Sequence, residues 1–173
     1  MKKKAWLYLF VIVLLLDLVG ILLHNETIQL VAKPLIVPSL LIYFIVATTG
    51  VKSRFKIWVL LALFFSWAGD VLLMFEERDS VFFIVGLSSF LLAHFFYIIF
   101  FNKVRSSEMI DGKWWLLLIV VLYYGFFITF ISPYLGDMKL PVRIYAVMIS
   151  IMFMLAMHML YLKYSRAGIL MMT

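Results

Sequence analysis

The stretch FFSWAGDVLLM, residues 64–74, sets a carboxylate inside an apolar run that is long enough to cross a membrane. An ionised carboxyl group in hydrocarbon costs several kcal/mol, so an intramembrane Asp is retained where it has a function or a polar partner. Two roles are therefore open for Asp70. It takes part in chemistry at a functional site, or it pairs with another polar group inside a helix bundle.

Composition assigns the whole chain to the membrane. Of its 173 residues, 66% are hydrophobic and only 14% are charged, and the mean hydropathy is +1.13. A soluble domain of this size cannot bury that much apolar surface. The composition predicts a polytopic membrane protein with a single transmembrane domain over residues 1–173 and no soluble domain. The sequence has no cysteine, which excludes disulfides, thiolate metal sites and a cysteine nucleophile.

Six continuous apolar stretches divide the chain. They cover residues 5–23, 31–49, 57–75, 81–101, 114–132 and 140–162. Each is long enough to cross a hydrocarbon core of about 30 Å at about 1.5 Å per residue. The first stretch lacks a small-residue cleavage site after it, which indicates a retained span rather than a signal peptide. The sequence therefore predicts an all-α bundle of six transmembrane helices.

Basic residues alternate between the two ends of the predicted spans. If the N-terminus is cytoplasmic, the inner side holds eleven of the fifteen: Lys2, Lys3, Lys4, Lys52, Arg54, Lys56, Lys103, Arg105, Lys113, Lys163 and Arg166. The outer side holds Lys33, Arg78, Lys139 and Arg143. An excess of Lys and Arg in cytoplasmic loops predicts a cytoplasmic N-terminus, with the bacterial inner membrane as the expected location. It also accounts for the net charge of +6 without a nucleic-acid partner.

Polar residues are scarce in the spans, and those of the third span share one face. Helical spacing aligns Ala62, Ser66, Gly69, Asp70 and Leu73. Small residues let helices approach closely, so this stripe is expected to face the bundle. Asp70 would then lie about 8 Å below the outer end of its helix.

The fourth span carries a second face of small and polar residues. Its members are Gly86, Ser89, Phe90, Ala93, His94 and Tyr97. We expect Ser89 near the depth of Asp70, and His94 roughly 8–10 Å deeper. His94 is either a neutral imidazole bonded between helices or a functional group, and its position on a small-residue face favours the second role.

Three further polar residues are assigned from their positions. Lys33 begins the second span and is either an interfacial anchor or a ligand-binding cation. Asp17 is interpreted as structural, either reaching outward or pairing with Lys33. His158 lies at the inner end of the sixth span, far from Asp70 in depth, and is also interpreted as structural.

These residues limit the chemistry that the chain can perform. A metal site needs three or four convergent ligands, and the depths of Asp70, His94 and His158 do not converge. The sequence contains no nucleophile elbow, zinc helix motif or phosphate-binding loop. Acid–base chemistry at Asp70 remains, which suits a lipid-modifying enzyme or a small transporter with a protonatable site.

Four motifs in order resemble the YhhN-like family, which includes the lysoplasmalogenases. They are KPL at 33–35, FSWAGDVLL at 65–73, GLSSFLLAHFFY at 86–97, and LPV at 140–142 followed by Tyr145 and Met148. The resemblance covers nearly the whole chain. It implies an eight-span α-helical membrane enzyme that hydrolyses the vinyl ether bond of lysoplasmalogens to a fatty aldehyde and a glycerophospho-alcohol, with no metal or other cofactor.

The polar residues fit this implied reaction, and we hypothesise a role for each. Asp70 would act as acid and base, with His94 orienting water or tuning Asp70, and Lys33 would hold the substrate phosphate. Ser66, Ser89 and Tyr97 would complete the substrate-binding residues. The expected partners are a lysophospholipid substrate and the bilayer, and the oligomeric state is not predicted.

The family pattern extends beyond this sequence. Its members continue into a glycine-rich span with a Ser-Asp pair that would supply a second carboxylate. Residues 167–173 correspond to the beginning of that span, so we expect a fragment or a shortened homologue that lacks the last two spans.

Overall fold

The computed structural model describes residues 2–51 and 53–161. Six α-helices follow one another: α1 (Lys2–Leu22), α2 (Glu26–Ala47), α3 (Lys56–Leu73), α4 (Ser80–Ser107), α5 (Trp114–Ile131) and α6 (Lys139–His158). The 3-10 turns Ser132–Tyr134 and Gly136–Met138 connect α5 to α6, and a third, Met159–Tyr161, follows α6. Within these described residues, six helices are long and apolar enough to cross a membrane, which confirms the predicted all-α polytopic class.

The helix ends differ from the predicted spans where polar residues continue a helix. α2 begins at Glu26, before the predicted residue 31, because Asn25 caps it: the Asn25 side chain accepts a hydrogen bond from the Ile28 N–H at 3.2 Å. α4 continues past the predicted residue 101 to Ser107. Val104 within that extension is 1% exposed, so apolar packing supports the added turns. The predictions for Lys52, Lys163, Arg166 and residues 162 and 167–173 lie outside the described residues.

The chain divides into two compact units, a first unit (Met1–Ala93) and a second unit (His94–Thr173), with the boundary inside α4. In the first unit α1 packs on α2 and α2 packs on α3, and in the second unit α5 packs on α6. The single transmembrane domain remains a prediction.

Two glycines allow a close crossing of α3 and α4 in the first unit. A Cβ atom on Gly86 would lie 3.4 Å from the Gly69 carbonyl oxygen and 3.0 Å from the Leu73 side chain. A Cβ atom on Gly69 would lie 2.7 Å from the Phe90 ring. The crossing therefore depends on the absence of side chains at these two positions, and it sets the register of the helix that carries Asp70.

We expect Gly69→Ala to destabilise the protein by about 1–3 kcal/mol, because the added methyl group collides with the Phe90 ring. Gly125→Ala is the matched control, since a Cβ atom there meets nothing within 4 Å. Thermal unfolding of both variants in detergent measures the difference. Equal midpoints for the two variants would show that the α3–α4 crossing tolerates a side chain.

His158 joins two helices of the second unit. Its Nε2 accepts a hydrogen bond from the Lys113 N–H at 3.1 Å, and its Nδ1 lies 2.8 Å from the Met154 carbonyl oxygen. A neutral imidazole has one donor and one acceptor nitrogen, and this arrangement uses both. His158 is 2% exposed and connects the end of α6 to the residue that precedes α5, which is the structural role expected for it.

Candidate functional site

Trp67 fixes the register between α2 and α3. Pro38 has no N–H, so it cannot make the usual helical hydrogen bond to the Pro34 carbonyl oxygen. The Trp67 Nε1–H donates to that oxygen at 3.0 Å. Lys33 directly precedes Pro34, and Asp70 follows Trp67 by about one helical turn. The indole therefore brings the charged residues of the two helices to the same level.

Lys33 and Asp70 form the charged pair of the first unit. The Lys33 ammonium group is close enough to interact electrostatically with the Asp70 carboxyl group. Lys33 is exposed and Asp70 is half-buried. The pair thus combines an accessible cation with a partly shielded carboxyl group, an arrangement that can bind an anionic group and exchange a proton.

Asp17 does not take either of the positions expected for it. It is only 8% exposed, and its Oδ1 is buried with no hydrogen-bond partner among the described residues. It therefore neither reaches outward nor forms the expected pair with Lys33. One turn further along α1 the packing on α2 is close, since the side chain of Ile28 lies 2.9 Å from the position of a Cβ atom on Gly20.

An apolar cleft of about 320 Å³ lies on α2 and α3, the two helices that carry Lys33 and Asp70. Its lining comes from α2 and α3: Pro38, Leu41, Ile42, Phe64 and Trp67. The Trp67 side chain belongs to both features, since it lines the cleft and donates to Pro34. Trp67 therefore links the apolar cleft to the turn of α2 that follows Lys33, an arrangement that suits an amphiphilic ligand with an anionic head. Sequence reasoning missed this cleft, and its one signal was a Trp with a polar N–H inside an apolar span.

Ser89 bonds to the backbone of α3 before Asp70. Its hydroxyl donates to the Phe65 carbonyl oxygen at 2.8 Å, and the residue is 7% exposed. Phe65 precedes Asp70 by five residues, or about 7.5 Å along the helix. The crossing places Gly86 close to the Gly69 carbonyl oxygen, directly before Asp70. Ser66 is half-buried, one turn before Asp70.

The other two predicted site residues lie in the second unit. The His94 ring packs edge-on against the Tyr145 ring, with centroids 5.2 Å apart and planes at 79°. The Tyr97 ring stacks on Phe101 with centroids 6.4 Å apart. Tyr145 was not among the predicted site residues, although it follows the LPV motif at 140–142. Within residues 2–51 and 53–161, no three His, Asp or Glu side chains are grouped to hold a metal ion.

We expect Trp67→Phe to lower stability by about 1–3 kcal/mol, because the Pro34 carbonyl oxygen loses its donor. The ring itself remains, so the cleft keeps most of its lining. Trp114→Phe is the matched control, since Trp114 is 77% exposed. Unfolding midpoints in detergent test the prediction, and an equal change in both variants would contradict a special role for the indole N–H.

The helices define a multi-pass α-helical membrane protein, in which Lys33, Asp70 and the apolar cleft belong to the same two helices. The model of the YhhN family matches residues 28–173, and the chain belongs to the YhhN family. The match includes every predicted site residue in both units and excludes Asp17. No curated protein and no solved structure matches the chain significantly.

Proposed function

We propose that this chain is a membrane hydrolase that cleaves the vinyl ether bond of lysoplasmalogens. The products are a fatty aldehyde and a glycerophospho-alcohol. The observation that carries the proposal is the pair of Lys33 and Asp70 on the two helices that line the apolar cleft. A lysoplasmalogen likewise has a charged part and an apolar part, because a phosphate lies at one end and a single hydrocarbon chain at the other.

In the proposed complex, Lys33 binds the substrate phosphate and the apolar cleft receives part of the hydrocarbon chain. Lys33 is exposed, so a phosphate can reach its ammonium group from the headgroup region of the bilayer. The lining of the cleft offers only apolar groups and the Trp67 ring to the chain, which favours a saturated hydrocarbon over a second polar group.

The reaction begins with proton transfer from the Asp70 carboxyl group to the vinyl carbon that is remote from the ether oxygen. A C–H bond forms, and the electrons of the double bond leave an oxocarbenium ion. The Asp70 carboxylate stabilises this cation and accepts a proton from water as the water attacks the carbon bound to oxygen. The resulting hemiacetal breaks its C–O bond to give aldehyde and alcohol, so one water is consumed and Asp70 recovers its proton.

Substrate binding prepares Asp70 for this chemistry. In the free protein the Lys33 cation lies near enough to the Asp70 carboxyl group to interact with it electrostatically. When a phosphate binds Lys33, the ammonium group pairs with the phosphate instead of interacting with Asp70. Asp70 is then free to carry the proton that the vinyl ether requires.

The remaining assignments are proposals from the sequence. His94 is assigned to orient the attacking water, and Ser66, Ser89 and Tyr97 to line the substrate path. The excess of basic residues on one side favours a cytoplasmic N-terminus in a bacterial inner membrane. In that orientation Lys33 takes its substrate from the outer leaflet.

Aldehyde release from a purified, reconstituted protein tests the proposal. A lysoplasmalogen is supplied, and the aldehyde is detected by coupled enzymatic reduction. The control substrate is the saturated alkyl ether analogue, which has no double bond to protonate and is expected to give no product. Transfer of the lipid across proteoliposomes without aldehyde would instead identify a transporter and overturn the hydrolase assignment.

A further inference from the structure

A polar cleft of about 430 Å³ lies in the second unit, where α4 ends and the loop to α5 begins. Its polar lining residues are Asn102, Arg105, Ser106 and Asp111. The three residues from α4 share one helical face, because they are spaced by three and four positions. This cleft therefore presents an amide, a guanidinium group and a hydroxyl on one wall and a carboxylate on the other.

Arg105 is held in place by the loop that faces it. Its Nε–H donates to the Ile110 carbonyl oxygen at 3.2 Å. A Cβ atom on Gly112 would lie 2.7 Å from a terminal nitrogen of Arg105, so the glycine leaves room for the guanidinium group under the loop. The terminal nitrogens have no other hydrogen-bond partner among the described residues. They can present a planar pair of N–H donors to an anion, which is the geometry that phosphate oxygens accept.

The residues after the loop indicate how deep the cleft lies. α5 begins with Trp114 and Trp115, and Trp114 is 77% exposed. Trp side chains are enriched at the boundary between hydrocarbon and water. We therefore expect the cleft, which lies between the end of α4 and this Trp pair, to be at the level of the lipid headgroups.

We propose that this cleft binds the phosphoethanolamine headgroup of a membrane phospholipid. Arg105 pairs with the phosphate, Asn102 and Ser106 donate to its remaining oxygens, and the Asp111 carboxylate accepts hydrogen bonds from the ammonium group. The carboxylate on the second wall selects this headgroup. It repels a purely anionic headgroup, and a quaternary ammonium group has no N–H to donate to it.

Native mass spectrometry of the full chain, released from detergent with an equimolar mixture of lipids, tests this site. The mixture contains phosphatidylethanolamine, phosphatidylglycerol and phosphatidylcholine. We expect the wild-type protein to retain phosphatidylethanolamine preferentially and Arg105→Gln to retain about tenfold less of it. Asp111→Asn is expected to lose the preference over phosphatidylglycerol while it still binds phospholipid.

Matched controls distinguish lipid binding in the cleft from lipid binding by exposed charges elsewhere on the protein. Arg54→Gln removes an exposed basic residue that does not line the cleft, and Glu108→Gln removes an acid from the same segment. Both are expected to keep the wild-type lipid pattern. Excess inorganic phosphate is expected to leave the lipid bound. Displacement by phosphate, equal retention of all three lipids by the wild type, or an equal loss in Arg54→Gln would each overturn the proposal.

Discussion

Asp70→Asn is expected to reduce kcat for aldehyde release by about 10²-fold or more. Asn has nearly the same size as Asp, so the packing at the half-buried position is retained. Its amide, however, can neither deliver a proton to the vinyl carbon nor take one from water. The measurement is aldehyde release at saturating lysoplasmalogen, with the helical circular dichroism of the variant compared with that of the wild type.

Asp17→Asn is the matched control for this experiment. Asp17 is also an intramembrane carboxyl group, but it lies in α1, outside the residues that the family model matches. It is therefore expected to keep the wild-type kcat. An Asp70→Asn variant that folds normally and turns over lysoplasmalogen at the wild-type rate would remove Asp70 from the mechanism.

The number and type of the helices were predictable because hydrocarbon thickness imposes a minimum length on every apolar run. The ends of the helices were less predictable. α2 starts after Asn25, among polar residues that a search for apolar stretches leaves out. The Asn25 side chain stabilises this start because it accepts a hydrogen bond from a backbone N–H group, whatever the hydropathy of the residues that follow. Val104 extends α4 for a different reason, since its burial depends on packing that the local sequence does not specify.

Within the candidate site, Lys33 and Asp70 were predictable because charged residues in or beside a span are costly and few. The apolar cleft was not, because residues that line a hydrophobic cleft have the same composition as residues that face lipid. The level of Ser89 depends on where α3 and α4 cross. That crossing is set by the contact of Gly86 with Gly69, and a count of residues from the helix ends does not reveal it.

Lys33→Gln is expected to raise KM for lysoplasmalogen by about tenfold with little change in kcat. A charge-assisted hydrogen bond to phosphate contributes equally before and during proton transfer, because the phosphate is remote from the vinyl ether. Lys33→Arg keeps a cation and is expected to restore most of the affinity. Lys139→Gln is the matched control, since Lys139 is an exposed basic residue at the beginning of α6.

A substrate without phosphate separates the two effects that Lys33 has in the proposed mechanism. Lys33 interacts with Asp70 in the free protein, so its loss could act through the carboxyl group instead of through the substrate. A 1-alkenyl glycerol has the vinyl ether but no phosphate. If Lys33 binds phosphate, Lys33→Gln raises KM for the lysoplasmalogen and leaves KM for the alkenyl glycerol as it is in the wild type. If Lys33 acts only on Asp70, the variant changes both substrates alike, and the phosphate-binding role is wrong.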